Sequence, residues 1–95
     1  MTIYYKDPEA VLDFTFDWTS WLGGSETISS RTITISCSEE SSPTLTKDSD
    51  SEASGVVTVW LSSGTAGKKY KVECKISTNE SRTDERTMMV RVQER

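Results

Sequence analysis

Two cysteines, fifteen Asp and Glu residues, eleven Lys and Arg residues and no histidine form the reactive inventory of this 95-residue chain. Without histidine the commonest general base is missing, and so are the usual serine or cysteine triads and most zinc sites. Cys37 and Cys74 have neither CxxC spacing nor a histidine to complete a ligand set. They read as small buried hydrophobes in a reducing compartment. Asp48-Ser49-Asp50-Ser51-Glu52 imitates the start of a calcium loop, but an EF-hand needs Gly at its sixth position and Glu at its twelfth, where this chain has Ala53 and Val59. Glu39-Glu40 and Asp84-Glu85 are adjacent carboxylates, and neighbours on a strand point to opposite faces, so neither makes an acid/base pair by itself. Asn79-Glu80-Ser81 has glycosylation-acceptor spacing, which carries meaning only in a eukaryotic secretory pathway. The chemistry therefore predicts no catalytic residue, no cofactor and no metal, and the chain is not expected to be an enzyme.

Charge and hydropathy narrow the partners. The net charge is −4, which does not attract a polyphosphate backbone, so no nucleic acid is expected. Lys68, Lys69, Lys71 and Lys75 form a basic stripe interrupted by Glu73. On a negative protein, that stripe suits a solvated face or an acidic protein neighbour. No apolar run has the length of a signal peptide or of a membrane span, so no membrane partner is expected. Synthesis in the cytosol follows as the expectation, with export only inside an assembly.

These groups must sit on strands. Gly55 to Ser62 is β-branched and bounded by Gly and Ser, with Val57, Val59 and Leu61 on one face and Val56, Thr58 and Trp60 on the other. Ser63 to Gly67 reads as a turn. In Lys69 to Ser77, Tyr70, Val72, Cys74 and Ile76 alternate with Lys69, Lys71, Glu73 and Lys75, a half-buried antiparallel strand. Thr78 to Ser81 forms a polar tip, and Thr83 to Val92 returns with Met88, Val90 and Val92 inward. The cluster Arg82-Thr83-Asp84-Glu85-Arg86 reads as a solvated strand entry. Ile28 to Ser38 is a further strand, Leu45 to Asp48 a short one, and Ser49 to Ser54 a loop. No window shows helical spacing. Short strands at intervals of eight to twelve residues predict an all-β fold, an immunoglobulin-like antiparallel β-sandwich, with a small barrel as the alternative.

The core is thin. Leu, Ile, Val and Phe together number eighteen, about 19% of the chain, a level at which disorder competes with folding. The aromatic residues are also unevenly placed. Both Phe, two of three Trp and two of three Tyr precede residue 22, and Leu12, Phe14, Phe16 and Trp18 alternate with polar residues. This divides the single domain into an aromatic-rich N-terminal arm with the first strand over 1–24, and the sandwich over 25–95.

Leu61 to Val72, with a Gly-rich turn leading to Tyr70 and then alternating apolar residues, resembles the E–F corner of bacterial immunoglobulin-like and fibronectin-type-III-like domains. The resemblance implies a corner tyrosine, with the Tyr70 ring in the core and its hydroxyl reaching backbone. Tyr70 lies four residues before Cys74 rather than two, and no Trp lies on a plausible third strand. Were the cysteines on facing strands of such a domain, they would come close enough for a disulfide.

A second resemblance spans most of the chain. Tyr4-Tyr5-Lys6-Asp7-Pro8-Glu9-Ala10-Val11-Leu12-Asp13, Asp17-Trp18-Thr19-Ser20-Trp21-Leu22, Leu45-Thr46-Lys47-Asp48-Ser49-Asp50, Val59-Trp60-Leu61-Ser62 and the terminal Arg91-Val92-Gln93-Glu94-Arg95 are similar to a family of virion proteins of tailed bacteriophages, the fibre–tail adaptor type. The resemblance implies a non-enzymatic structural protein of the virion, oligomeric in the particle, joining tail, neck or fibre components. Its partners would be other phage structural proteins and copies of itself. Aromatic side chains give an interface large contact area at low entropic cost. Tyr4, Tyr5, Trp18, Trp21, Leu22 and Trp60 are the candidate contact residues. Phe14 and Phe16 suit the first core strand, and Trp18 and Trp21 suit either role. Two alternatives stay open: a capsid decoration protein, which would be present in hundreds of copies, and a carbohydrate-binding module using Trp60 as a platform.

Overall fold

A computed structural model describes residues 2–94; Met1 and Arg95, the last position of the terminal motif, lie outside the described residues. Seven strands follow one another: β1 (Thr2–Lys6), β2 (Leu12–Asp17), β3 (Ile28–Ser36), β4 (Leu45–Ala53), β5 (Val56–Ser63), β6 (Lys69–Thr78) and β7 (Thr83–Val92). They form two sheets, a four-stranded one ordered β1-β7-β6-β3 and a three-stranded one ordered β2-β5-β4. The pairs are antiparallel except β1 with β7, which is parallel. The all-β sandwich expected from the alternation is the architecture observed.

The period-2 pattern explains why these segments are strands and which side each buries. Val57, Val59 and Leu61 of β5 meet Tyr70, Val72, Cys74 and Ile76 of β6 and Met88, Val90 and Val92 of β7 across the gap between the sheets, all nearly inaccessible. Phe14, Phe16 and Trp18 complete the same cluster. Each such side chain contributes about 1.5–3 kcal/mol when fully buried. A sparse composition thus suffices because almost every Val and Leu of β5 to β7 lies on the inner faces.

Two expectations are corrected. Residues 49–53 are not a loop: β4 runs unbroken from Leu45 to Ala53 beside β5, with a bulge between Lys47 and Ser49. Its sequence is too polar to signal a strand, yet β5 supplies a backbone edge that overrides propensity. The bulge and the charges on this edge strand also deter pairing with a further chain. The third strand ends at Ser36, and Cys37 instead forms an isolated bridge with Glu40.

The first 24 residues supply two strands to the sandwich. The link between them follows from the Lys6-Asp7-Pro8-Glu9-Ala10 motif. Asp7 and Pro8 occupy the first two positions of a β-turn closed by the Ala10 amide donating to the Asp7 carbonyl at 3.0 Å, and the Asp7 carboxylate accepts from the Glu9 amide at 2.8 Å. Lys6 is wholly buried. Its ammonium donates to the carbonyls of Ser63 at 2.7 Å and Asp7 at 2.9 Å, pinning β1 to the end of β5. Burial lowers the pKa of Lys6, opposed by the charges of Asp7 and Asp48.

Candidate protein interface

The Asp17-Trp18-Thr19-Ser20-Trp21-Leu22 motif leaves β2 and folds back on the core. The Asp17 carboxylate accepts from the Thr19 amide at 2.8 Å and the Thr19 hydroxyl at 2.6 Å; the hydroxyl bond first, then the amide bond, holds its pKa below the usual value. The Trp18 carbonyl then accepts from the amides of Trp21 and Leu22. The Trp18 ring has no accessible surface, stacks on Phe16 with centroids 5.9 Å apart, and donates its indole N–H to Asp84 Oδ2 at 3.2 Å. A buried indole needs such an acceptor. Arg86 lies 4.8 Å from the Trp18 ring and Arg82 4.0 Å from the Trp21 ring. Leu22 is half-buried and packs so close to Gly55 that a Cβ there would lie 2.9 Å from its Cδ1.

Glu26 is the centre of this corner. Its side chain is 1% exposed. It accepts from the Gly23 amide at 2.9 Å, the Thr78 hydroxyl at 2.6 Å and the Arg82 guanidinium at 2.9 and 2.5 Å. The Arg82 bond, followed by those of Gly23 and Thr78, pulls the Glu26 carboxyl down to about 2. In return Glu26 raises the pKa of Arg82. The cluster 82–86 is a solvated entry to β7, with Arg82, Thr83 and Glu85 exposed, and Arg82, Asp84 and Arg86 do more than face water. They anchor the tryptophan loop to the start of β7: Asp84 accepts the buried Trp18 indole N–H, Arg82 bonds Glu26 and the Trp21 carbonyl, and Arg86 lies against the Trp18 ring.

Three of the six candidate contact residues remain on the surface. Tyr4 is 37% exposed, Tyr5 48% and Trp60 41%. Tyr4 shares the inner side of its ladder with Val90 and caps the gap between the sheets by resting its ring 5.2 Å from that of Phe14. Tyr5 points outward opposite Arg91. Trp60 points outward on β5 between Asp13 of β2 and Ser49 of β4. Trp18 lies inside the chain, and Trp21 and Leu22 pack partly buried against the core. The structure adds Ile3, Val11 and Leu12, all exposed, which the motif reading passed over.

The two long edges of the sandwich are closed differently. Between β3 and β4, Arg31 Nε donates to Asp50 Oδ1 at 2.5 Å and Lys47 bonds the other oxygen. Lys47 first, then Arg31, holds the Asp50 carboxyl below its usual range against the effect of burial. Between β1 and β2 the closure is the Tyr4–Phe14 ring contact, flanked by exposed apolar side chains.

The corner between β5 and β6 carries the tyrosine that the resemblance implied. Tyr70 is inaccessible, its hydroxyl accepts the Thr65 amide at 2.9 Å and donates to Glu40 Oε1 at 2.7 Å. Both cysteines are free. Cys74 pairs with Ile33, four residues before Cys37 on the same side of the sheet. At about 3.3 Å per residue the two are roughly 13 Å apart, beyond a disulfide's reach. Burial pushes the Cys74 thiol up to about 12. Among the described residues no group of His, Cys, Asp or Glu could hold a metal ion.

Comparison with known proteins points to a family. A family model described as "Podophage GP4 fiber-tail adaptor protein gp77" matches residues 6–91. The match begins at Lys6 and takes in the buried lysine, the tryptophan loop and all of β2 to β6. No curated protein matches the sequence.

Proposed function

Because the chain belongs to the podophage GP4 fiber-tail adaptor family, we propose that it is a non-enzymatic virion component that joins fibre to tail through protein–protein contacts. The exposed β1–β2 edge supplies a contact surface for that junction. The observation that carries this reading is where the apolar surface lies. Ile3, Tyr4, Tyr5, Val11 and Leu12 fall within ten residues of sequence, and Trp60 is the remaining exposed large hydrophobic among the described residues. Scattered exposed apolar residues carry no message, whereas a gathered set marks a contact. Edge strand β1 also has one side without a strand neighbour, where a partner's extended segment can add main-chain bonds. The strand orders support an immunoglobulin-like sandwich, since β2-β5-β4 and β3-β6-β7 follow the B-E-D and C-F-G arrangement of that fold.

The test is co-sedimentation of purified fibre protein with fibreless tails, with and without this chain. Addition of the chain is expected to restore fibre attachment, and Tyr5→Ser with Leu12→Ser is expected to abolish it while leaving the thermal melt unchanged. Fibre attachment that does not depend on the chain overturns the reading. So does a copy number of hundreds per virion, which belongs to a capsid decoration protein.

A further inference from the structure

Strand β1 covers only half of its neighbour β7. The buried Lys6 fixes the register of β1, with Lys6 opposite Val92 and Thr2 opposite Met88. Among the described residues no strand flanks Thr83 to Thr87 on that side. In an antiparallel ladder the main-chain bonds of successive residues point alternately to the two sides of the strand. The Thr78 amide donates to the Arg82 carbonyl at 2.8 Å, and the Val92 amide to the Lys68 carbonyl at 3.0 Å, so the even-numbered residues of β7 bond β6. Thr83, Glu85 and Thr87 therefore turn their amides to the uncovered side, along roughly 13 Å of strand.

A cavity of about 160 Å³ opens at the same place, between β7 and β2. Tyr4, Phe16 and Met88 give it apolar walls, and Asp17 and Arg86 give it polar ones. A dry cavity of about 150 Å³ accepts a benzene ring, so one aromatic or large aliphatic side chain fills this one. Two rings and a thioether favour an aromatic guest. The cations nearby are already engaged. Arg86 donates to the Asp17 carbonyl and lies 4.8 Å from the Trp18 ring, and Arg82 is bound to Glu26. Glu85, by contrast, is exposed on the outer side of β7, opposite the side that buries Met88.

We propose that the uncovered half of β7 receives an extended segment of a partner protein at the fibre–tail junction. The segment adds a strand in line with β1 and sets one aromatic or large aliphatic side chain in the cavity, with Lys or Arg at the alternate, outward positions beside Glu85. This deepens the adaptor reading and rests on it for its setting. In strand addition the main chain supplies affinity and the alternate side chains supply specificity. The cavity is continuous, through Tyr4, with the exposed apolar β1–β2 edge, so the segment belongs to the partner that covers that edge. Charge selects its outward residues: the chain carries −4, and an opposite charge beside Glu85 is favourable whereas a like charge is not. The edge at β4 offers no equivalent, because a bulge and the Arg31–Asp50–Lys47 cluster blunt it.

The probe is an end-blocked peptide, Lys-Thr-Lys-Phe-Lys-Thr-Lys, titrated into the intact chain and followed by amide NMR and hydrogen exchange. Saturable binding is expected, with the Glu85 and Thr87 amides exchanging about tenfold or more slowly in the complex. The same peptide with Ala for Phe keeps every charge and is expected to bind about tenfold or more weakly. Glu85→Pro removes one free amide and leaves the β6 ladder whole, so it is expected to abolish binding, whereas Glu85→Gln only weakens it. Circular dichroism checks that the proline variant is folded; if it is not, Thr87→Pro takes its place. Equal binding of the two peptides overturns the proposal, as does binding that the proline variant leaves unchanged or that protects the β3 or β4 edge instead. Protection of Glu85 and Thr87 that grows with the concentration of the chain alone seats a second copy there and also overturns it. In the co-sedimentation assay, full fibre attachment by the proline variant overturns the strand site alone and leaves the adaptor reading standing.

Discussion

Replacing Tyr70 with phenylalanine isolates the corner that joins the two sheets. The ring is fully buried, so Tyr70→Phe keeps every packed carbon and removes only the hydroxyl. That oxygen accepts the Thr65 amide at 2.9 Å, donates to Glu40 at 2.7 Å and lies 2.9 Å from the Thr44 hydroxyl. Glu40 keeps the Thr44 amide at 3.1 Å and the Thr65 hydroxyl at 2.9 Å, so it stays partnered in the variant. The Thr65 amide loses its acceptor. A buried hydroxyl with such partners contributes about 1–2 kcal/mol. For a domain of this size each kcal/mol moves the melting point by about 4–8 °C, so a drop of about 10 °C is expected by circular dichroism. Acid adds a second arm. The Tyr70 hydroxyl is the largest cause of the lowered Glu40 pKa, below its usual 4.5. A carboxylate with a depressed pKa contributes stability above its unfolded value and loses it as pH falls through the folded one. The gap between wild type and Tyr70→Phe should therefore be full at pH 7 and narrow below pH 4.5. A melting point lowered by less than about 2 °C, or a gap that stays constant on acidification, refutes this account of the corner.

Three further outcomes follow from the same geometry. Glu26, held down to about 2 chiefly by Arg82, stabilises the fold at neutral pH and ceases to do so as pH falls from 4.5 through 2; in melts over that range Glu26→Gln should lose its deficit relative to wild type. Gly64→Ala should cost more than Gly67→Ala in urea titrations: both have left-handed backbone, φ +98° and +89°, but a Cβ at Gly64 lies 2.7 Å from Val92 Cγ2, whereas none of the packed atoms comes within 4 Å at Gly67. Strain alone accounts for about 1–2 kcal/mol at each position, and the overlap adds about 1–3 kcal/mol at Gly64. Thiol labelling at pH 7.5 should modify one cysteine, the half-buried Cys37, in the native chain and both in urea, since Cys74 is inaccessible and its thiol is pushed up to about 12; non-reducing mass spectrometry should find no disulfide.

The strands with strict alternation are legible in the amino-acid order. β6 and β7 fall where Tyr70-Val72-Cys74-Ile76 and Met88-Val90-Val92 place them, because burial on one face of a pleat requires period 2. β4 is not legible in this way: Asp48, Asp50 and Glu52 deny it any apolar rhythm, and only the neighbouring β5 and the cations Arg31 and Lys47 make strand geometry favourable there. The aromatic stretch stands out by composition, but composition cannot tell a buried indole from an exposed one. Trp18 and Trp60 are the same residue type on strand-like segments. One is enclosed because Asp84 and Arg86, far along the chain on β7, meet its polar edge and its ring, and the other is exposed because its neighbours across the ladder are Asp13 and Ser49.

Local patterns in the chain thus determined that it is built of strands, that Tyr70 and the Val-rich faces are its core, and that histidine-dependent chemistry is absent. Tertiary structure alone decided which strands are neighbours, that Lys6 and Glu26 are buried with their polar partners, and that Arg31 and Lys47 meet Asp50 at the edge between the sheets. The physical reason is range. Side-chain alternation is written between residues two apart, whereas ladder order, ion pairing and surface charge depend on residues brought together only when two sheets close over a common interior.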